Sequence, residues 1–370
     1  MESNTSPTKI DGMAAIRGSV PLAQYTTLGL GGNARYFTEC TSVEELRSTL
    51  LHAKYEKLRV FVLGGGSNII FPDKGYDGLV VRPTMHGMVV QDDGDDVLIT
   101  VGAGEEWDAF VQYCVEKGFA GVECLSGIPG LVGATPIQNV GAYGQEVRET
   151  IVSLKSMDRF TLVHMEFSGE ECRFGYRQSR FKSEDMNRYI ITHVTFRLRR
   201  NAEPVIKYPE LRKHIESSVN LATLEVGRSQ LEAIRNAVIA LRKKKSMVID
   251  PSDPNSRSVG SFFMNPVIST EQFQQIQQHW TTDGNTSLVP SFPADGGIKI
   301  PAAWLVEQSG FARGYTKGGV GISSNHALAL INRGGTATEL LALAADIQST
   351  VLERFGIRLE REPVVVAEGS

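Results

Sequence analysis

The stretch that decides the architecture is Ser126-Gly127-Ile128-Pro129-Gly130-Leu131-Val132-Gly133-Ala134-Thr135-Pro136-Ile137-Gln138-Asn139-Val140-Gly141-Ala142-Tyr143-Gly144. Glycine at 127, 130, 133, 141 and 144, with proline at 129 and 136, forbids a regular helix or strand. What remains is backbone poor in side chains, carrying fixed hydrogen-bonding groups in Thr135, Gln138 and Asn139. Such a surface suits a large, flat ligand lying against the chain. A second segment of this kind precedes it. A short apolar strand over 59–63 runs into Gly64-Gly65-Gly66-Ser67-Asn68. Consecutive backbone N–H groups and two side-chain donors there make an anion nest. Taken alone, the same residues suit a tight strand-to-strand turn equally well. Two such loops on separate elements imply an extended cofactor.

Other glycine patterns point elsewhere or nowhere. Gly29-Leu30-Gly31-Gly32-Asn33-Ala34 matches G-x-G-x-x-A. The dinucleotide mechanism needs a helix opening on that turn, with its N-terminus facing the pyrophosphate. Arg35-Tyr36-Phe37-Thr38 is strand-like instead, so the match is a chance turn. No glycine run is followed by Lys-Ser or Lys-Thr, which excludes a P-loop. No repeat of fixed period is present, which argues against a solenoid or propeller.

The wider pattern alternates strands and helices. Ser42 and Glu45 predict a capping box opening a helix to Tyr55. Trp107, Phe110, Val111, Cys114 and Val115 fall on one face of a helix over 105–117, stopped by Gly118. Ile190, Thr192, Val194, Phe196 and Leu198 alternate along a strand over 189–200. Leu231, Ile234, Val238 and Leu241 mark a helix ending in Arg242-Lys243-Lys244-Lys245. Thr336 with Glu339 caps a long last helix to Phe355, closed by Gly356 and followed by a strand over 358–366. The class is α+β with mixed sheets, and composition shifts near residues 85 and 245 predict three lobes.

Composition removes several functions. The chain has 370 residues and a net charge of −4, so a nucleic-acid coat or membrane-surface binder is disfavoured. With 41% hydrophobic and 22% charged residues it is neither disordered nor membrane-spanning, and no apolar stretch nears the ~20 residues a span needs. The polar start and the apolar patch near Met13, interrupted by Arg17, do not read as a signal peptide. Cys40, Cys114, Cys124 and Cys172 form no C-x-x-C pair and read as reduced, mostly buried thiols, in keeping with a cytoplasmic protein. The seven histidines show no metal spacing, so no metal site is expected.

Five segments in order resemble the MurB family, the UDP-N-acetylenolpyruvoylglucosamine reductases of bacterial cell-wall precursor synthesis. They are Leu63 to Asn68, Ile128 to Gly144, Cys172-Arg173-Phe174-Gly175-Tyr176-Arg177, Gly260-Ser261-Phe262-Phe263-Met264-Asn265-Pro266 and Ala303-Trp304-Leu305-Val306-Glu307-Gln308. The similarity spans about 25–366, and Pro136-Ile137-Gln138-Asn139 with Tyr208 is similar to the longer, loop-bearing type. The resemblance implies the two-lobed FAD-binding fold of the vanillyl-alcohol-oxidase (PCMH) type plus a C-terminal α+β substrate-binding domain. The expected division is a polar segment 1–20, a first FAD-binding lobe 21–84 joined by a C-terminal strand about 357–370, a second lobe 85–244, and a substrate domain 245–356.

It also implies a reaction. NADPH reduces non-covalent FAD and leaves. UDP-N-acetylglucosamine enolpyruvate takes its place, flavin N5 delivers hydride to C3, and a proton reaches C2. Arg177, a bidentate guanidinium, would receive the charge that develops on the substrate carboxylate. By residue type alone it would be a surface arginine at a strand end. Glu362 aligns with the family's acidic partner, although the family commonly has Glu-Val where this chain has Glu362-Pro363. Pairing after Glu362 is then expected at a sheet edge. Ser261 aligns with the donor of the proton to C2. Gly64, Gly65, Gly66, Ser67, Asn68, Gly133, Thr135, Gln138, Asn139, Gly144 and Arg242 align with the flavin site. Tyr176, Tyr208, Lys245, Asn265 and Gln308 align with the nucleotide-sugar site, and a monomer is expected.

Two further readings stay open on the sequence: an FAD oxidase of the same fold, and a nucleotide-sugar-binding relative without catalysis. The first often tethers its flavin to a histidine near the glycine loop, but none lies between His52 and His86. Acid precipitation of the purified protein should therefore release its yellow colour into the supernatant. Colour staying with the pellet would refute the non-covalent assignment.

Overall fold

The computed structural model describes residues 12–367. The chain opens on a mixed sheet ordered Arg17–Pro21, Asn33–Cys40, Tyr76–Pro83, Val60–Val62. Its first contact is antiparallel and the other two are parallel. Helix α1 (Val43–Tyr55) begins where Ser42 Oγ accepts the Glu45 N–H at 3.1 Å. The reciprocal half of the predicted capping box is shifted. Glu45 Oε2 accepts the N–H and hydroxyl of Thr41, at 2.7 and 2.8 Å, rather than the N–H of Ser42.

A six-stranded antiparallel sheet follows. It runs His164–Ser168, Ile151–Asp158, Tyr189–Arg200, Asp96–Gly102, Met88–Asp93, with Phe119–Ala120 beside the end of Tyr189–Arg200. The strand over 189–200 has the length and alternation that its sequence predicts. Helix α2 (Trp107–Glu116) lays its predicted apolar face on this sheet, with Phe110 4.8 Å from Phe196, ring centroid to centroid. Fully burying each such side chain stabilises by about 1.5–3 kcal/mol. Helices α3 (Pro209–Ser218) and α4 (Arg228–Lys244) pack beside it, and α4 buries Leu231, Ile234, Val238 and Leu241. All four cysteines are buried, and burial pushes the Cys40 and Cys172 thiols up to about 11 and 12.

The last part holds α5 (Thr270–Thr282), α6 (Ala302–Gln308) and α7 (Ala337–Phe355) with two small three-stranded antiparallel sheets. Both halves of the Thr336–Glu339 capping box are present. Its core of Phe262, Phe263, Leu305, Leu340 and Ile347 also takes in Leu28, Leu30 and Ile70 from the start of the chain. The Gly29–Ala34 turn is thus part of the contact between the first and last parts. A strand follows it, as the sequence predicts, and a Cβ on Gly32 would meet Asp73 O at 2.2 Å, so only glycine lets the chains cross there.

The predicted strand over 358–366 is corrected. Only Val364–Val365 is regular strand, parallel to Ile69–Ile70, with Arg361 bridging Phe263 before it. Pro363 has no N–H, so a continuous ladder through it is impossible. The expected segment 1–20 falls mostly outside the described residues, as do 368–370.

Asp73 ties the first part of the chain to the last helix. Its Oδ1 accepts the Ala337 N–H at 2.8 Å, and its Oδ2 accepts the Thr338 N–H and hydroxyl at 3.0 and 2.6 Å. Burial opposes its charge, but these hydrogen bonds outweigh it and hold the carboxyl below its ordinary range. A lowered native value gives stability that is present at neutral pH and lost as pH falls through it. Asp73→Ala should cost about 1 kcal/mol at neutral pH, as for other lost helix-end acceptors. In a denaturant titration the difference from the parent should shrink below about pH 4.

Candidate active site

The two glycine loops touch. A Cβ on Gly65 would lie 2.5 Å from Gly130 Cα, and one on Gly130 would lie 3.1 Å from Ser67 Oγ. Any side chain at 65 would force the loops apart. Asn68 joins them from the side: its Nδ2 donates to Gln138 Oε1 at 2.7 Å and to Glu362 O at 3.3 Å. Between these segments runs a mostly apolar cavity of about 250 Å³. Of the residues the sequence assigns to the flavin, Gly64, Ser67, Asn68, Gly133, Thr135 and Gln138 line it.

The others stand behind the wall. Gly65 and Gly66 carry the turn, Gly66 against Tyr25 O. Asn139 is fully buried and spends its amide on Glu146 Oε2 and Gly175 O, at 2.9 and 2.8 Å, which holds the loop's shape. Gly144 packs on Lys207, next to Tyr208. Arg242 is buried behind Gly127, its Nη2 on Met247 O at 2.8 Å and its Nε without a hydrogen-bond partner. The Gly127 turn is pinned by Asp108, which accepts the Gly127 N–H at 2.6 Å and both Nη groups of Arg235 at 2.6 and 2.8 Å.

Arg177 and Glu362 meet beside this cavity. Arg177 has φ +53°, unusual for a non-glycine residue. Its Nη2 donates to Gly141 O at 2.8 Å, and its Nε lies 3.1 Å from Glu362 Oε1, off the hydrogen-bonding angle, as an ion pair. Lys182, which no motif in the sequence singles out, lines the cavity and donates to Arg177 O at 3.1 Å. Burial pulls its ammonium below the usual lysine range, with Glu362 opposing. Its one local signal is its place in Ser179-Arg180-Phe181-Lys182, just after the Arg177 motif.

The strip carrying Ser261 is joined to the Glu362 strip by backbone pairing. Glu362 N donates to Phe262 O at 2.9 Å and Met264 N to Glu360 O at 3.0 Å, so the Ser261 strip lies along the Glu362 strip. Ser261 Oγ is 3.1 Å from His326 Nε2, a contact no local pattern announces. Asn265 Oδ1 accepts the Ala302 N–H at 2.8 Å and so caps α6. Gln308 ends that helix, and its carbonyl accepts Arg354 Nη1. Lys245 donates to Glu210 Oε2 at 2.7 Å and lies over Tyr143, whose ring meets Tyr208 edge-on at 5.5 Å. Tyr176 is half-exposed between Arg177 and Lys299.

A glycine-walled apolar slot with an unpartnered guanidinium nitrogen behind its turn fits a flavin nucleotide, whose ring needs close backbone and whose phosphates need positive charge. An FAD-binding domain model matches residues 34–160, and the chain is a flavin-dependent oxidoreductase. The C-terminal domain model of UDP-N-acetylenolpyruvoylglucosamine reductase matches 251–366. The reductase of that name from Thermobifida fusca is 44% identical over 94% of this chain and 97% of its own length, and that from Salinispora arenicola 42% over 93% and 94%. The chain therefore belongs to the UDP-N-acetylenolpyruvoylglucosamine reductase (MurB) family. The solved MurB of Thermus caldophilus shares the fold at TM-score 0.64 and 24% identity, over 95% of this chain and 99% of that one.

The contact between loops makes a direct test. Gly65→Ala should fold but retain less FAD, since the added methyl sits 2.5 Å from Gly130 Cα. Flavin absorbance per protein after gel filtration should drop, and added FAD should bind at least ten-fold more weakly, a loss of about 1.4 kcal/mol. Unchanged retention would mean that the loops part without consequence for the slot.

Proposed function

We propose that this protein reduces UDP-N-acetylglucosamine enolpyruvate to UDP-N-acetylmuramate with NADPH, through non-covalent FAD, in peptidoglycan precursor synthesis. The observation that carries the reading is the convergence of Arg177, Glu362 and the Ser261 strip beside the FAD slot, from three distant stretches of chain. The relatives' names supply the substrate, and the family supplies NADPH. No histidine or cysteine is among the residues lining the cavity, which supports a non-covalent flavin. The lobes at 21–84, 85–244 and 245–356 belong to this reading, as do a cytoplasmic location and a monomer. Among the described residues no helix is long and apolar enough to cross a membrane.

The cofactor site would be formed by Gly64, Ser67, Asn68, Gly133, Thr135 and Gln138, with Arg242 as the positive charge behind Gly127. When bound, FAD supplies the redox chemistry, accepting two electrons from NADPH and passing them to the enolpyruvyl double bond. The chain's own residues handle charge and protons. As C3 is reduced, negative charge runs through C2 into the substrate carboxylate, where Arg177 offers donors already in place. Glu362, ion-paired to Arg177, holds the guanidinium in register and stabilises the protonated form of that carboxylate. Ser261 gives its proton to C2. Tyr176, Tyr208, Lys245, Asn265 and Gln308 hold the nucleotide-sugar, with Lys245 and Asn265 toward the diphosphate.

Hydride transfer from NADPH to the flavin needs no proton at C2, whereas reduction of the enol ether does. Ser261→Ala should still bleach on mixing with NADPH. It should then reoxidise about 10²–10⁴-fold more slowly on addition of the enolpyruvyl nucleotide, the usual value of general acid help. Substrate affinity should move far less than the rate. Stopped-flow flavin absorbance separates the two steps, and equal slowing of both would leave Ser261 a structural residue only.

A further inference from the structure

A serine hydroxyl is a poor acid, and releasing its proton to carbon leaves charge on Oγ that something must accept. The group in contact with that oxygen is His326, its Nε2 3.1 Å from Ser261 Oγ. The turn carrying it is clamped from several sides. Phe262 N donates to Leu328 O at 2.8 Å, which sets the Ser261 strip against the turn. Asn325 Nδ2 donates to Ser246 Oγ at 2.8 Å, and Ser324 N to Asn255 Oδ1 at 3.2 Å. Ala329 N closes the turn on His326 O at 3.1 Å. A turn held this firmly presents the imidazole from a fixed backbone position beside Ser261.

We infer that His326, as a neutral imidazole, donates Nε2–H to Ser261 Oγ, aims the serine proton into the cleft and stabilises the oxygen as that proton leaves. The inference rests on the reading of Ser261 as the proton donor. A serine that hands its proton to carbon cannot also spend it on an imidazole lone pair, so the oxygen must be the acceptor in this contact. The surroundings keep the ring neutral. Burial comes first, then Lys245, Arg242 and Arg313, with Glu210 opposing, and together they lower its pKa to about 4. In the step, the Ser261 O–H bond breaks, a C–H bond forms at C2, and the electron pair stays on Oγ. His326 shares that charge through its N–H without giving up the proton, and water reprotonates the serine before the next turnover. His326 is thus a positioning residue, acting through Ser261.

The test uses the FAD-loaded full chain with His326→Leu, which cannot donate, and His326→Gln, whose amide can. In His326→Leu, flavin reoxidation by the enolpyruvyl nucleotide should slow about 10²-fold, as for loss of one preorganised donor. Reduction by NADPH and the substrate dissociation constant should be little changed, and His326→Gln should recover most of the rate. Adding His326→Leu to Ser261→Ala should slow reoxidation no further. A readout independent of turnover is the imidazole nitrogen spectrum of histidine-labelled protein, with His326→Gln assigning the resonance; the Nε2–H tautomer is expected. Reoxidation at the parent rate in His326→Leu, additive effects in the double variant, or an Nδ1–H tautomer would each overturn the inference. So would a rate inflection between about pH 5 and 8 that His326→Gln abolishes, because the imidazolium would then be the active form. If Ser261→Ala itself reoxidises at the parent rate, it is the serine's assignment that has failed.

Discussion

The site depends on one strip of chain near the C-terminus that changes partner at a proline. Glu362 N donates to Phe262 O, Pro363 has no N–H to place, and Val364 N donates to Asn68 O at 2.9 Å. Residues before the proline therefore belong to the Ser261 strip, and those after it to the strand leaving the first glycine loop. A residue with an N–H at 363 would need an acceptor in the gap between two surfaces. Proline removes that need, and the switch carries the Glu362 side chain to the junction where Arg177 pairs with it. The short parallel pairing that follows is an edge, where proline is tolerated.

The remaining geometry follows from how closely the neighbouring segments approach this strip. Contact between Gly65 and Gly130 brings two backbones to a distance that no side chain allows, and Asn68 locks it by bonding to both Gln138 and Glu362 O. On the far side the Asp108–Arg235 pair, bidentate and partly buried, fixes the Gly127 turn. Charge-assisted bonds of this kind are shorter and stronger than neutral ones. The slot is thus bounded by backbone from segments far apart in sequence. Side chains enter it chiefly as apolar walls.

The electrostatics divide the site in two. Arg177, Glu362 and Lys182 form a mixed-charge cluster at one end, where the lysine's partial burial and the arginine's left-handed backbone are both costly arrangements. On the other side, burial, reinforced by the positive charge of Lys245, Arg242 and Arg313, favours the neutral form of His326. On the function proposed above, a carboxylate that gains charge and a hydroxyl that loses a proton call for different neighbours. Arg177 would give fixed donors to the first and His326 a neutral ring to the second.

Much of this is legible in the residues themselves. Helix α2, the strand over 189–200 and the box opening α7 are readable because their patterns are local: a 3.6 or a 2 period, or a cap and its partner three residues on. The two glycine loops are readable as ligand-holding backbone because residue type limits what such backbone can do. Ordered motifs bring forward Arg177, Ser261 and Glu362 as candidates. Sequence patterns mislead where partners are remote. They extend the last strand through Pro363, give no sign of the docking contact made by the Gly29–Ala34 turn, and do not separate Asn139, which braces a loop, from Gln138, which lines the slot. Nothing in Ser323-Ser324-Asn325-His326 marks that histidine, since its partner lies 65 positions earlier. The sequence alone thus determined which elements form and which residue types are available for chemistry. The tertiary structure alone decided which of them meet, because long-range hydrogen bonds and close backbone approaches join segments whose spacing along the chain carries no trace of the contact.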